Sequence, residues 1–270
     1  MKRTFVLLSA VALIASVGCK NTKNEKDTDD SMIEQNMDST ATTQDITIEK
    51  LTGSPAYADA SLKLNKPSTD KVSAGDVHWD FAVKNYDLGT QTENAGENGL
   101  ANSDKGQHIH FIIDDDPYSA HYEPSFDMKM DEGTHYVVAF LSRSYHEAVK
   151  NDDSFVAKKV TVGDASKGKE MNVDFSKPTL IYSRPKGTYE GDDTKNLMLD
   201  FFLLNTKLSP NGNKVRATIN GKEFIITDWA PYVIKGLPKG TATVKLELLD
   251  KDNNVIPGDF NSVERTVELK

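Results

Sequence analysis

The chain of 270 residues has one cysteine, Cys19, so neither an intrachain disulfide nor a cysteine-built zinc site can form. Basic residues are in deficit, 32 against 41 acidic, and the net charge of −9 excludes nucleic-acid binding, which needs a positive surface. No apolar run is long enough to cross a bilayer as a helix, which takes about 20 residues. No segment shows an amphipathic helical period of ordinary length; Tyr145–Lys150 could form one turn. Gly-x-Ser-x-Gly, His-Glu-x-x-His, P-loop and Gly-x-Gly-x-x-Gly patterns are all missing. No two acids pair at a defined site, so the chain is read as non-enzymatic. Between Lys20 and Asp45 there is no glycine, proline or aromatic residue, and no histidine follows His146.

At the N-terminus, Lys2-Arg3 precede an apolar run from Phe5 to Val17 that ends at Gly18-Cys19. A basic start, a short apolar stretch and small residues at its end predict a secretory signal over 1–18. Ser16-Val17-Gly18-Cys19 resembles the lipobox of bacterial lipoproteins, with Ser16 where that family has an aliphatic residue. The resemblance implies that Cys19 is lipidated and becomes the first mature residue, so that the membrane is a partner through that anchor. Lys20-Asn21 stand where an inner-membrane retention Asp is typical, so the resemblance implies a cell-envelope protein sorted to the outer membrane, on the periplasmic or the surface face. Loss of Lys2 and Arg3 takes the charge from −9 to −11. Residues 19–45 then form an acidic linker too polar to offset its ordering entropy, a disordered tether with a reach of about 30 Å.

From Ile46 onward, short alternating runs are broken by Gly, Pro, Asn and Asp, the punctuation of strands and turns. A repeat organises them. Asp80-Phe81, Asn85 and Leu88 match Asp200-Phe201, Asn205 and Leu208, and Ile109–Asp114 match Val215–Asn220. Gly133-Thr134, Val137 and Leu141 match Gly240-Thr241, Val244 and Leu248; Val156 and Val160–Val162 match Val263 and Val267–Leu269. The four anchors keep their order, with one insertion in the first copy around Thr92–Lys105. Two all-β domains are expected, 46–170 (His-rich) and 175–270, each with about seven strands, the signature of a β-sandwich. Leu237–Thr241 and Leu249–Asn253 resemble the late strands of bacterial immunoglobulin-like and fibronectin-III-like modules, and Asp131–His135 resembles their tyrosine-corner segment with His135 in place of Tyr. Gly106–Asp114, Gly133–Val137 and His146 are similar to uncharacterised periplasmic and lipid-anchored bacterial domains. Together with Tyr182–Gly187, the chain resembles lipoproteins named phosphopeptide-binding protein. The Gly-Arg turn and Ser-x-x-His loop of a forkhead-associated domain are not present as a set, so the resemblance implies fold and location more than activity.

All six histidines lie between His78 and His146. His108 and His110 share a strand face, their side chains about 7 Å apart. By the repeat they align with Lys214 and Arg216, opposite to the core-facing Ile109, Phe111 and Ile113. His135 aligns with Ala242 and points inward. Beside the two outward histidines lie Tyr136, Val138 and Phe140, where the second copy has Thr243, Lys245 and Glu247. An outward apolar face on an antiparallel strand is covered by something. One candidate cover is the second module or the insertion; the other is a protein, peptide or glycan partner, with His108, His110, Tyr136, Phe140, Arg143 and Tyr145 as the binding face. The first functional reading is therefore a non-catalytic binding module without cofactor. A second is a periplasmic copper or zinc protein using His108 and His110, with His135 or His146 completing the site. A third is a structural envelope component without a dedicated ligand. Asp114-Asp115-Asp116 and Asp250–Asn254 are read as turns; the latter lacks the Gly and Glu of a calcium loop.

Overall fold

Alternation in the sequence becomes two β-sandwiches in the computed structural model, which describes residues 45–270. The signal, Cys19 and nearly all of the tether lie outside the described residues. β1 (Thr47–Lys50) comes first. The first module then follows with β2 (Ser61–Lys66), β3 (Lys71–Val72), β4 (Gly75–Lys84), β5 (His108–Ile113), β6 (Ser119–His121), β7 (Ser125–Met130), β8 (Gly133–Ser142) and β9 (Phe155–Val162). The second contains β10 (Thr179–Arg184), β11 (Gly187–Tyr189), β12 (Leu197–Leu204), β13 (Lys214–Ile219), β14 (Lys222–Ile226), β15 (Tyr232–Lys235), β16 (Gly240–Leu249) and β17 (Ser262–Leu269).

Sheet orders β2-β4-β7 and β3-β9-β8-β5-β6 build the first sandwich; β1-β15-β12-β10 and β11-β17-β16-β13-β14 build the second. The repeat maps strand for strand: β4 on β12, β5 on β13, β8 on β16 and β9 on β17. Its Asn anchors have a backbone cause. Asn85 and Asn205 end β4 and β12 at φ of 53° and 51°, a left-handed region that Asn tolerates. Their side-chain amides donate to Asp59 O and Phe175 O. In one respect the expected boundaries are corrected. Thr47–Lys50, assigned to the first module, pair with Tyr232–Lys235 and extend a sheet of the second. Four residues of alternating pattern carry no label of the sheet they join, so the sequence could not show this.

Each module has its own core. Trp79, Phe81 and Phe111 pack with Ile109, Val137, Ala139 and Leu141 in the first. Leu199, Phe201, Val215, Ile219, Val244 and Leu246 do so in the second. A third cluster joins them: Ile112, Tyr136, Val138 and Phe140 from the outer face of β5 and β8 meet Ile181, Phe202, Leu204 and Phe260. Phe140 stacks on Phe202 with ring centroids 5.1 Å apart. The second module is thus the cover, and the expectation of an open partner face is corrected. His108, His110, Tyr136, Phe140, Arg143 and Tyr145 are all buried. A legible trace of this lies in Leu197–Leu204, eight residues with a single charge and no alternation, every one of them buried. A strand buried on both faces reads that way.

Candidate metal centre

At one end of that interface three imidazoles converge. His108 and His110 project from the same face of β5, and their Nε2 atoms approach to 3.0 Å. His146 Nδ1 lies 3.2 Å from His108 Nε2. His108 and His110 are fully buried and His146 is partly exposed. Ligand atoms of a tetrahedral zinc or copper site with bonds of about 2.0–2.1 Å sit roughly 3.3 Å from one another; the two contacts made by His108 match that spacing, and all three ligand atoms lie within 4.8 Å of one another.

The outer ring nitrogens are held. His108 Nδ1 donates to Gly106 O at 2.8 Å, which fixes its tautomer and leaves Nε2 with a lone pair. Gly106 itself has φ +84°, and a Cβ there would lie 2.6 Å from the Thr90 backbone, so only glycine fits the turn that offers this carbonyl. His110 Nδ1 is 3.1 Å from Ser183 Oγ on β10, so the second module holds one of the rings. A ligand histidine whose other nitrogen meets a backbone carbonyl or hydroxyl is the usual arrangement around a metal. The hydroxyl of Ser183 can donate when His110 Nε2–H bonds His108, or accept when Nε2 faces a metal ion.

His146 arrives from a turn, not a strand. Its φ of 71° is left-handed, which histidine adopts more often than most residues. Arg143 closes the turn: its guanidinium pairs with Glu147 at 3.0 Å and donates to Ala148 O at 2.9 Å, and both side chains of the pair are buried. Tyr145 packs against Leu100, Met198 and Val233. Arg143 and Tyr145, expected on a ligand face, instead brace the turn that presents His146. From the second module Asp200 accepts from Ala148 N–H at 2.8 Å and pairs with Lys150.

His135 does not join, which corrects its inclusion among the metal ligands. Its Nδ1 meets Asp114 Oδ2 and its Nε2 meets Asp131 O, both at 2.9 Å. This is the corner role implied by its alignment with a Tyr. His121 stacks on Phe126 and bonds Ser119, and His78 pairs with Asp127 at the surface.

Residues that sequence reasoning did not single out complete the surroundings. Tyr118 stacks on His110 with centroids 3.4 Å apart, and its hydroxyl lies 3.2 Å from His146 Nδ1. Lys186 Nζ lies 4.0 Å and the Arg184 guanidinium 5.3 Å from the Tyr118 ring centroid. Lys186 also donates to Tyr118 O at 2.7 Å. Tyr182–Gly187 enters the sequence reading by resemblance alone; the signal it offers is the non-alternating run Leu180-Ile181-Tyr182, in a strand that the structure buries from Thr179 to Arg184.

Burial sets the protonation. Desolvation lowers His108 to about 4, and drives His110 and His146 well below the ordinary imidazole value, with the neighbouring histidines and Arg184 adding to the shift. All three rings are neutral at pH 7, as metal ligation requires. Desolvation, followed by Arg184 and Arg265, pushes Lys186 down to about 8.

No protein-family model and no curated protein matches the chain. Among solved structures, the fibronectin(III)-like modules of Clostridium thermocellum CbhA are similar at 16% identity and TM-score 0.26, over 77% of this chain and 94% of that one. The SGBP-B protein of the Bacteroides ovatus mixed-linkage glucan utilization locus, in complex with a heptasaccharide, aligns at 10% identity and TM-score 0.23, over 78% and 47%. The central fibronectin-III array of RIM-binding protein aligns at 11% and 0.21, over 78% and 69%. At these scores the likenesses carry no argument about what this chain binds.

Proposed function

We propose that this protein is a non-catalytic binding module whose ligand is a copper or zinc ion held by His108, His110 and His146, in a lipid-anchored envelope protein. The observation that carries the reading is the convergence of three neutral imidazole nitrogens, two of them in fully buried rings, at 3.0 and 3.2 Å. The Gly106 bond leaves His108 Nε2 with a lone pair, and His110 Nε2 and His146 Nδ1 both approach it, so an entering ion would take the place of a ring-to-ring proton contact. Imidazole suits copper and zinc, and buried rings with an outer nitrogen anchored on Gly106 O give the ligand set its rigidity. The partly exposed His146 is the side from which an ion can enter.

Metal analysis of protein purified without a histidine tag tests this. Near one equivalent of copper or zinc is expected, lost in His108→Ala/His110→Ala and in His146→Ala but kept in His135→Ala. Absence of metal, together with a melting temperature unmoved by added copper or zinc, refutes the reading. The anchor and location rest on the lipobox resemblance around Cys19. Cys19→Ala is expected to release the protein from the membrane fraction; continued attachment refutes that part alone.

A further inference from the structure

We infer that the histidine site selects a monovalent over a divalent ion, cuprous copper over zinc, and that Arg184 and Lys186 set that preference. This rests on the metal reading above and asks what decides between its two candidate ions.

Donor type does not decide, because imidazole serves both copper and zinc. Charge does. The side chains that stack on or hydrogen-bond to the three rings include Tyr118, Tyr122, Phe140 and Ser183, none of which is anionic. No carboxylate or thiolate enters the ligand set. Two cations face it instead. The Arg184 guanidinium is buried; Nη1 donates to Tyr189 Oη and Nε has no partner. Lys186 Nζ lies 4.0 Å from the centroid of the Tyr118 ring that stacks on His110. The charges that bear most on Lys186 are those of Arg184 and Arg265, both positive, and Arg184 is bordered by the neutral phenols of Tyr118 and Tyr189; the acids on that side, Asp115 and Asp116, act on Arg265.

A cation entering three neutral donors in this setting brings its whole charge toward Arg184 and Lys186. A 2+ ion meets twice the repulsion of a 1+ ion, and low-dielectric surroundings screen little of it. At an effective dielectric constant of about 20, one unit charge roughly 10 Å away changes the relative affinity of a 2+ and a 1+ ion by about tenfold. Three imidazoles also suffice for a cuprous ion, whereas structural zinc sites are almost always closed by a fourth ligand. A fourth ligand here would be water or the buried phenol of Tyr118, 3.2 Å from His146 Nδ1, and neither brings an anion unless it loses a proton.

The experiment compares wild type, Lys186→Met and Arg184→Met. Cuprous ion is titrated anaerobically in competition with a bathocuproine chelator, and zinc in competition with a chromophoric chelator. Calorimetry in two buffers of different ionisation enthalpy counts protons released. Lys186 reaches solvent, so its variant folds even if the buried Arg184→Met does not. Expected are tighter binding of cuprous ion than of zinc, no proton release with cuprous ion at pH 7, and a roughly tenfold gain of zinc relative to cuprous affinity in Lys186→Met. Zinc bound as tightly as cuprous ion overturns the selectivity and leaves the metal site standing. So does a ratio unmoved by Lys186→Met, or release of one Tyr118-dependent proton with zinc at full affinity. Wild-type protein that binds neither ion removes the site itself, and this inference with it.

Discussion

Asp80 and Asp200 occupy the same place in the two repeats, and replacing each by Asn should give very different results. Asp200 is wholly buried at the interface, where it takes the Ala148 N–H and the Lys150 ammonium, whose side chain is 12% exposed. Asp80, at the matching position of β4, is partly exposed and accepts from Asn65 at 3.1 Å. In Asp200→Asn the amide oxygen can still accept from Ala148, but the ammonium loses its charge partner. Breaking a buried pair from one side costs about 3–5 kcal/mol. Lys150 keeps some water, which places the expected loss at about 3 kcal/mol. Asp200→Ala also orphans the Ala148 N–H and should cost about 1–3 kcal/mol more. Asp80→Asn should stay within about 0.5 kcal/mol. Urea unfolding followed by tryptophan fluorescence is the assay, since Trp79 reports on the first module and Trp229 on the second. Because Asp200 holds the turn that carries His146, Asp200→Asn should also weaken zinc or copper binding by about tenfold. Equal stability of Asp200→Asn and Asp80→Asn would refute the assignment of the interface ion pair.

The remaining predictions concern packing and pH. Phe202→Ala should cost about 3–5 kcal/mol, and a double-mutant cycle with Phe140→Ala should show a coupling of about 0.5–1.5 kcal/mol for the stacked pair; strict additivity in urea unfolding would argue against the stack. Metal-free protein should lose stability as pH falls. Unfolded histidine titrates near about 6.5, whereas His108 in the fold titrates at about 4. Between those values the unfolded chain binds the extra proton. His108 alone then removes about 1.4 kcal/mol per pH unit, fully present as stability above about 6.5 and lost on the way down to 4. Melting temperatures of the metal-free protein at several pH values, compared with His108→Gln, check the sign. His135→Gln should lower the melting temperature through its Asp114 and Asp131 contacts yet leave metal stoichiometry unchanged, as metal analysis would show.

Much of the fold could be read from the chain because period-two patterning survives in the strands that face water on one side. Ser262–Leu269 alternates exposed and buried without a break, and its sequence follows at Val263, Val267 and Leu269, with Arg265 the one charged residue at a buried position. The repeat also gave the right parity for His108 and His110, away from their own core. What parity could not supply was the partner surface. A strand pattern says which side a residue faces, not what lies there, so burial of Tyr136 and Phe140 against Phe202 had to come from tertiary packing. His146 was legible only as a candidate, because a turn with positive φ has no sequence period. Tyr118, Arg184 and Lys186 come from a short edge connection and from the other module, brought to the site by docking rather than by spacing.

The pairing of β1 with β15 has a further consequence for how the modules stay docked. The chain enters along an edge of the second sandwich, crosses to build the first, and returns through residues 163–178. Two covalent crossings therefore hold one sandwich against the other, where a simple tandem array has one. Each crossing raises the effective concentration of the facing surfaces, and the second removes rotational freedom that a single linker would leave. Docking then needs little intrinsic affinity. A shared site such as the His110–Ser183 contact is kept assembled by the path of the chain as well as by the apolar interface. Cutting between β1 and β2 should loosen it with every side chain of the site still in place.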